Sequence, residues 1–248
     1  PLAPYLYYFE LTRRISRQPW KPIEAFRSRY ADTPLANGLL QFWLYRQAKR
    51  GRWKTFLERF DPDVRSTILT CYELMALQHT GQQEQAFRRT KDLWLVDFSQ
   101  PDECDPLFKA WRDAGHLTPD LAWQRFVISL EAGKTSLASY LIRFMPEPDQ
   151  KLAHLMRQVH RRPNTLRQQG RFKHDQERIR TIIAHGIKRL ARSDADKALK
   201  LWNQYQQTFS FDQQQLETTS LFIGMRLASQ ADKNNALDSL PVALRAHP

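Results

Sequence analysis

Apolar residues recur along this chain every three or four positions and seldom alternate, a pattern that predicts helices throughout and almost no sheet. Residues 71–104 hold the clearest unit. Tyr72, Leu74, Met75 and Leu77 keep helical spacing until His79, Thr80 and Gly81. Ala86, Phe87, Thr90, Leu93 and Trp94 then repeat at the same interval before Ser99, Gln100 and Pro101 end the unit. Gly81 has no Cβ to oppose the left-handed backbone that closes a helix. A connection this short makes the two helices antiparallel neighbours.

The remaining chain reads as looser copies of that unit. Helices are expected over residues 5–16 and 23–30, then over 35–50, which stops at Gly51 and is partnered by the stripe Trp53, Phe56, Leu57 and Phe60. Further helices fall at 106–114, 119–132 and 152–160, and a basic amphipathic helix at 177–190. Pro163 starts a helix or turn. Late pairs straddle 192–194 and 229–233. Tyr5, Tyr7, Tyr8 and Phe9 spread around the circumference of the opening helix, which makes Tyr5, Tyr7 and Tyr8 candidates for contact with another domain.

Aligned on their turns, the units share a spacing. A small residue is followed five positions later by alanine in Gly81/Ala86, Gly133/Ala138, Ser193/Ala198 and Ala231/Ala236, and four further on by Thr90, Ile142, Trp202 or Leu240. Alanine lets helix axes approach, and the later residue fills the groove toward the next pair. Gly51 departs from the rule, with Phe56 in the alanine place. The turns do not keep the tetratricopeptide period of about 34 residues, so the expected architecture is all-α: an irregular solenoid of antiparallel, tetratricopeptide-like hairpins.

Composition narrows the class. A 42% hydrophobic and 12% aromatic chain of 248 residues can build packed cores. No apolar run approaches the roughly 18 residues of a membrane span, and the first residues are not a signal peptide. Two cysteines, Cys71 and Cys104, are too few for a disulfide framework and lack the Cys-x-x-Cys spacing of a zinc or redox site. From the residues alone, a bond and two buried thiols stay equally open.

The net charge of +12 is concentrated: residues 157–192 carry eleven Lys and Arg against Asp175 and Glu177. Such a run is either a face for an anionic partner or a solvated helix face. Arg161, Arg162, Arg171, Lys173, Lys188 and Arg189 are its candidate contacts to glycan or another anionic polymer.

No catalytic centre assembles from the sequence. The seven His are scattered without ligand spacing, so no metal is expected, and His79, His116 and His185, near glycines, read as helix-end residues. There is no P-loop, no Gly-x-Gly-x-x-Gly and no Gly-x-Ser-x-Gly elbow, and no cofactor is implied. The pairs Glu103/Asp105 and Asp194/Asp196 read as caps or solvated carboxylates.

Two runs carry a family resemblance. Residues 1–19, PLAPYLYYFELTRRISRQP, and 80–115, TGQQEQAFRRTKDLWLVDFSQPDECDPLFKAWRDAG, closely resemble the N-terminal region of soluble lytic murein transglycosylases, with matching cysteine positions. The likeness is dense to about residue 145 and thinner beyond. It implies that residues 1–248 form part of one U-shaped or ring-forming α-superhelical U domain. In the family, a linker domain and then a lysozyme-like domain follow, and the latter cleaves the MurNAc-GlcNAc bond to anhydromuropeptides. That catalytic domain is expected to be absent here. The family's Glu-Ser dipeptide and Gly-Leu-Met-Gln motif are missing, and Gly38-Leu39-Leu40-Gln41, which superficially resembles the latter, fits a solenoid helix.

The resemblance further implies a periplasmic location, and with it a Cys71 to Cys104 disulfide. It implies peptidoglycan as the anionic partner, beside the linker and catalytic domains of the parent protein. The expected role is a non-catalytic domain that supports and orients the catalytic one. Read from its charge and repeats alone, the chain would be a helical-repeat binder of nucleic acid or a protein scaffold. Under the family resemblance nucleic acid falls back.

Overall fold

The computed structural model describes residues 2–64 and 66–230; among them are thirteen α-helices, short 3₁₀ turns and no strand. The chain divides between Leu121 and Ala122 into two compact units. The first contains α1 (Ala3–Arg13), α2 (Trp20–Arg29), α3 (Pro34–Lys49), α4 (Trp53–Arg59), α5 (Thr67–His79), α6 (Gln83–Trp94) and α7 (Asp105–Asp113). Helix α8 (Pro119–Glu131) begins at its end. The second unit continues with α9 (Thr135–Leu141), α10 (Glu147–Arg161), α11 (Glu177–Ala191), α12 (Ala195–Gln206) and α13 (Gln213–Gln230).

Local chemistry sets the boundaries. Pro34 and Pro119 open α3 and α8, where a missing N–H removes no intrahelical bond. The Ser66 side chain caps α5 by accepting from the Leu69 N–H at 3.3 Å, and Asp194 caps α12 by accepting from the Lys197 N–H at 2.9 Å. At the turns, Gly81 takes φ 88° and Gly133 φ 76°, a region costly to any residue with a Cβ. Gly51 and Gly115 close their helices likewise. The residue after each glycine donates its N–H to a carbonyl in the preceding turn: Arg52 to Gln47, Gln82 to Leu77, His116 to Trp111 and Lys134 to Ser129, at 2.8 to 3.2 Å. Asn37-Gly38, a dipeptide that often makes a hairpin turn, lies instead inside α3, where Gly38 faces the Tyr8 hydroxyl.

The alanine spacing has a physical role. Ala86, Ala138 and Ala198 are fully buried, and Thr90, Ile142 and Trp202, four residues on, are buried too. The pair Ala231/Ala236, with Leu240, lies outside the described residues.

The first unit is held by aromatic residues around α3. Trp43 is buried and donates its indole N–H to the Gln18 carbonyl at 2.9 Å, while Tyr7 and Tyr8 pack on Phe26 at centroid distances of 5.4 and 6.0 Å. Further along, buried Trp111 donates to the Phe87 carbonyl at 3.1 Å, locking α7 to α6. Arg89 makes a two-pronged bond to Glu73, at 2.6 and 2.7 Å, between α6 and α5.

The second unit is organised around α11. Nine of its fifteen residues are buried, and it packs on α10, α12, α13 and the 3₁₀ turn Pro163–Arg167. The basic amphipathic helix expected at 177–190 is thus present, but only Glu177 of it is exposed and its cations are half-buried. Its interior, Thr181 to Ile187, carries no Lys, Arg, Asp or Glu, and its cations sit at the two ends. Gly186 permits the close approach: a Cβ there would run into Val159 of α10 and Leu166 of the 3₁₀ turn, both fully buried. Tyr205 of α12 pins that turn from the other side by donating to the Leu166 carbonyl at 2.6 Å.

Candidate functional site

Cys71, in α5, and Cys104, in the 3₁₀ turn Asp102–Cys104 before α7, are fully buried and joined by a disulfide with Cα atoms 5.2 Å apart. The bond closes the loop that contains α6, so the hairpin of residues 71–104 is stapled at its base. Trp94, Phe108 and Trp111 join α6 to α7 through ring contacts, with centroid distances of 5.3 and 5.9 Å from Trp94.

The six candidate cations fall into two groups. Arg161 ends α10, Arg162 follows it, and Arg171 and Lys173 lie in the next loop; all four are exposed. Arg171 reaches back to α10 by donating to the Gln158 side chain at 2.8 Å, which holds it near Arg161 and Arg162. Lys188 and Arg189 are half-buried on α11. Arg189 Nε donates to the His160 carbonyl at 3.2 Å, the ordinary task of a cation at a helix C-terminus. Two more cations of the run are engaged, Arg178 with Asp149 and Arg180 with Asp175 at 2.6 Å. The charge that faces water therefore lies on the loop after α10 and not on α11.

Between α8, α10 and α11 lies a polar chain that sequence spacing did not disclose. His160 Nδ1 and His185 Nε2 are 3.0 Å apart, and His185 Nδ1 is 3.6 Å from a Glu131 carboxylate oxygen. One tautomer pattern satisfies both contacts: His160 donates from Nδ1 to His185, which carries its own proton on Nδ1 toward Glu131. Thus His185 is a mid-helix core residue, not the helix-end residue expected, while His79 does end α5 and stacks on Trp53 at 4.9 Å.

Burial, with Arg189, His185 and Arg192 nearby, pushes His160 down to about 4 from its ordinary 6.5. The His185 contact, followed by Lys188, holds Glu131 below the usual carboxylate range. The folded chain thus keeps His160 neutral where the unfolded chain would protonate it, so stability present above pH 6.5 is lost as the pH falls toward 4. The expected loss is about 2 to 3 kcal/mol. Denaturant melts between pH 7 and pH 4.5 check it: His160→Gln should flatten the slope, and an unchanged slope would remove His160 as its source.

The aromatic candidates of α1 separate. Tyr7 and Tyr8 are half-buried on Phe26, whereas Tyr5 points outward with Leu2, Leu6 and Phe9, each more than 60% exposed. Among the described residues no group of three or more His, Cys, Asp or Glu is arranged to hold a metal, and no helix is long and apolar enough to cross a membrane.

These features define an all-α protein of stapled, glycine-closed hairpins. The chain is homologous to the N-terminal region of soluble lytic murein transglycosylases. It is 29% identical over 228 residues to that protein from Escherichia coli K12 and equally to the one from Salmonella typhimurium, with 92% of this chain and 35% of each relative covered. Among solved structures, lytic transglycosylase Slt from Pseudomonas aeruginosa, in an inactive mutant, superposes with a TM-score of 0.85 at 35% identity over 96% of this chain and 39% of that one. The 70 kDa soluble lytic transglycosylase of Escherichia coli gives 0.79 at 27% over 100% and 40%. The chain thus spans between a third and two fifths of the length of these relatives. No protein-family model matches it.

Proposed function

We propose that this chain is a non-catalytic, superhelical U-domain segment of a periplasmic soluble lytic murein transglycosylase, which supports and orients a domain acting on peptidoglycan. The observation that carries this reading is the homology across nearly the whole chain to one region of those enzymes. The buried disulfide supports it, because the periplasm is oxidising. In this reading residues 1–248 belong to one U domain, although the described residues pack as two units. Arg161, Arg162, Arg171 and Lys173 face the carboxylates of peptidoglycan stem peptides. Tyr5, with Leu2, Leu6 and Phe9, meets the linker or catalytic part of the parent protein. Tyr7 and Tyr8 hold that face from within.

Co-sedimentation with purified sacculi is the test. The chain should bind them in a salt-sensitive way, release no anhydromuropeptide, and lose several-fold in affinity when Arg161, Arg162 and Arg171 are replaced by alanine. Release of soluble muropeptides by this chain, or tighter binding to duplex DNA than to sacculi, would sink the proposal.

A further inference from the structure

The last turn of α1, the 3₁₀ turn Ile15–Arg17 and the end of α3 surround an open cavity of about 510 Å³, lined by Arg13, Arg14, Arg17, Arg46 and Arg50 with Phe42. Its lining holds no carboxylate. Phe42 and Arg46 of α3 and Arg50, which caps its C-terminus, recur every four residues and line one side of the cavity. The facing turn is fixed: Ile15 is buried in the core, the Arg17 N–H donates to the Arg14 carbonyl at 2.8 Å, and Arg50 Nη1 donates to the Ser16 carbonyl at 2.5 Å.

Two observations separate this cavity from an ordinary cationic surface. Among the described residues none of Arg13, Arg14, Arg17 and Arg46 pairs with a carboxylate, whereas several other cations of the chain do. Arg46, laid over the Phe42 ring at 5.1 Å, also keeps a buried Nε with no hydrogen-bond partner in the chain. Two helix C-termini meet here and favour cations, but each supplies only about half a negative charge against five guanidiniums. Guanidinium groups stay charged at any physiological pH, and their planar forks match carboxylate and phosphate oxygens.

We propose that this cavity binds a compact multivalent oxyanion, one that carries two or more carboxylate or phosphate groups. Phe42 forms an apolar wall, the turn and α3 supply forks from two sides, and nothing must be displaced from Arg13, Arg14 or Arg17 before a ligand is engaged. The site lies wholly in the first unit and does not depend on the role proposed for Arg161 and Arg162.

Calorimetric titration of the full chain at low ionic strength tests it, with pyrophosphate and citrate as probes and acetate as the monovalent control. One-site saturable binding of at least one multivalent probe is expected. It should weaken about tenfold or more in Arg17→Gln/Arg46→Gln, and equally in the exposed pair Arg14→Gln/Arg17→Gln, whose melting should match that of the parent chain. Preference for citrate would mark a carboxylate ligand and preference for pyrophosphate a phosphate one. The proposal is overturned if neither probe saturates, if acetate binds as tightly, if the variants retain the parent affinity, or if Arg161→Gln/Arg162→Gln weakens binding as much.

Discussion

Replacing Cys71 and Cys104 together by alanine is expected to lower the stability of the chain by about 4 kcal/mol. The bonded residues are 33 positions apart, so the bond removes the closure entropy of a mid-sized loop from the unfolded chain. In the folded chain both cysteines are fully buried. Alanine is the better probe than serine, because a serine hydroxyl there would need a partner and add about 1 to 3 kcal/mol of its own. Guanidinium unfolding of oxidised, reduced and double-alanine chains measures the difference. A loss of less than about 1 kcal/mol would mean that the reduced chain keeps the hairpin closed by packing alone.

Gly186→Val should destabilise the second unit by about 3 kcal/mol. An ordinary helical glycine gains up to about 1 kcal/mol when replaced by alanine. At Gly186 that gain is reversed, because even a Cβ would strike Val159 and Leu166. Val159 is short and branched and cannot swing its methyl away, and Leu166 is held by the bond from Tyr205 to its carbonyl. Valine adds two methyls where no space exists. Thermal melts of Gly186→Ala and Gly186→Val check the order; stabilisation by alanine would show that α10 can slide aside.

Much of the architecture was legible because helical periodicity and turn glycines are local signals. Gly51, Gly81 and Gly133 marked three helix ends directly, and the alanines five residues after two of them proved to be fully buried. What periodicity could not show was direction. The segment 177–190 reads as a basic amphipathic helix and is one, but spacing does not show that its cations are half-buried at the helix ends or that Ile179, Ile182, Ile183 and Ile187 meet neighbours on several sides.

The cavity of Arg13, Arg14, Arg17, Arg46 and Arg50 escaped for a related reason. Its residues are divided between two segments about thirty positions apart, neither of which has the charge density of 157–192. The Glu131, His185 and His160 chain likewise joins three helices. Doublets such as Arg13-Arg14 hint at charge, but only the packing of α1 on α3 makes them neighbours.

The central position of α11 bears on the order in which the second unit can close. In the first unit every hairpin meets its neighbour soon after it is made, since consecutive helices cover one another. In the second, α10 and the turn Pro163–Arg167 pack on each other, but the sides they turn to α11 stay open until residues 177–191 are in place. A folding intermediate that lacks α11 would leave Val159 and Leu166 uncovered, which makes it the state in which a holding chaperone has most to protect.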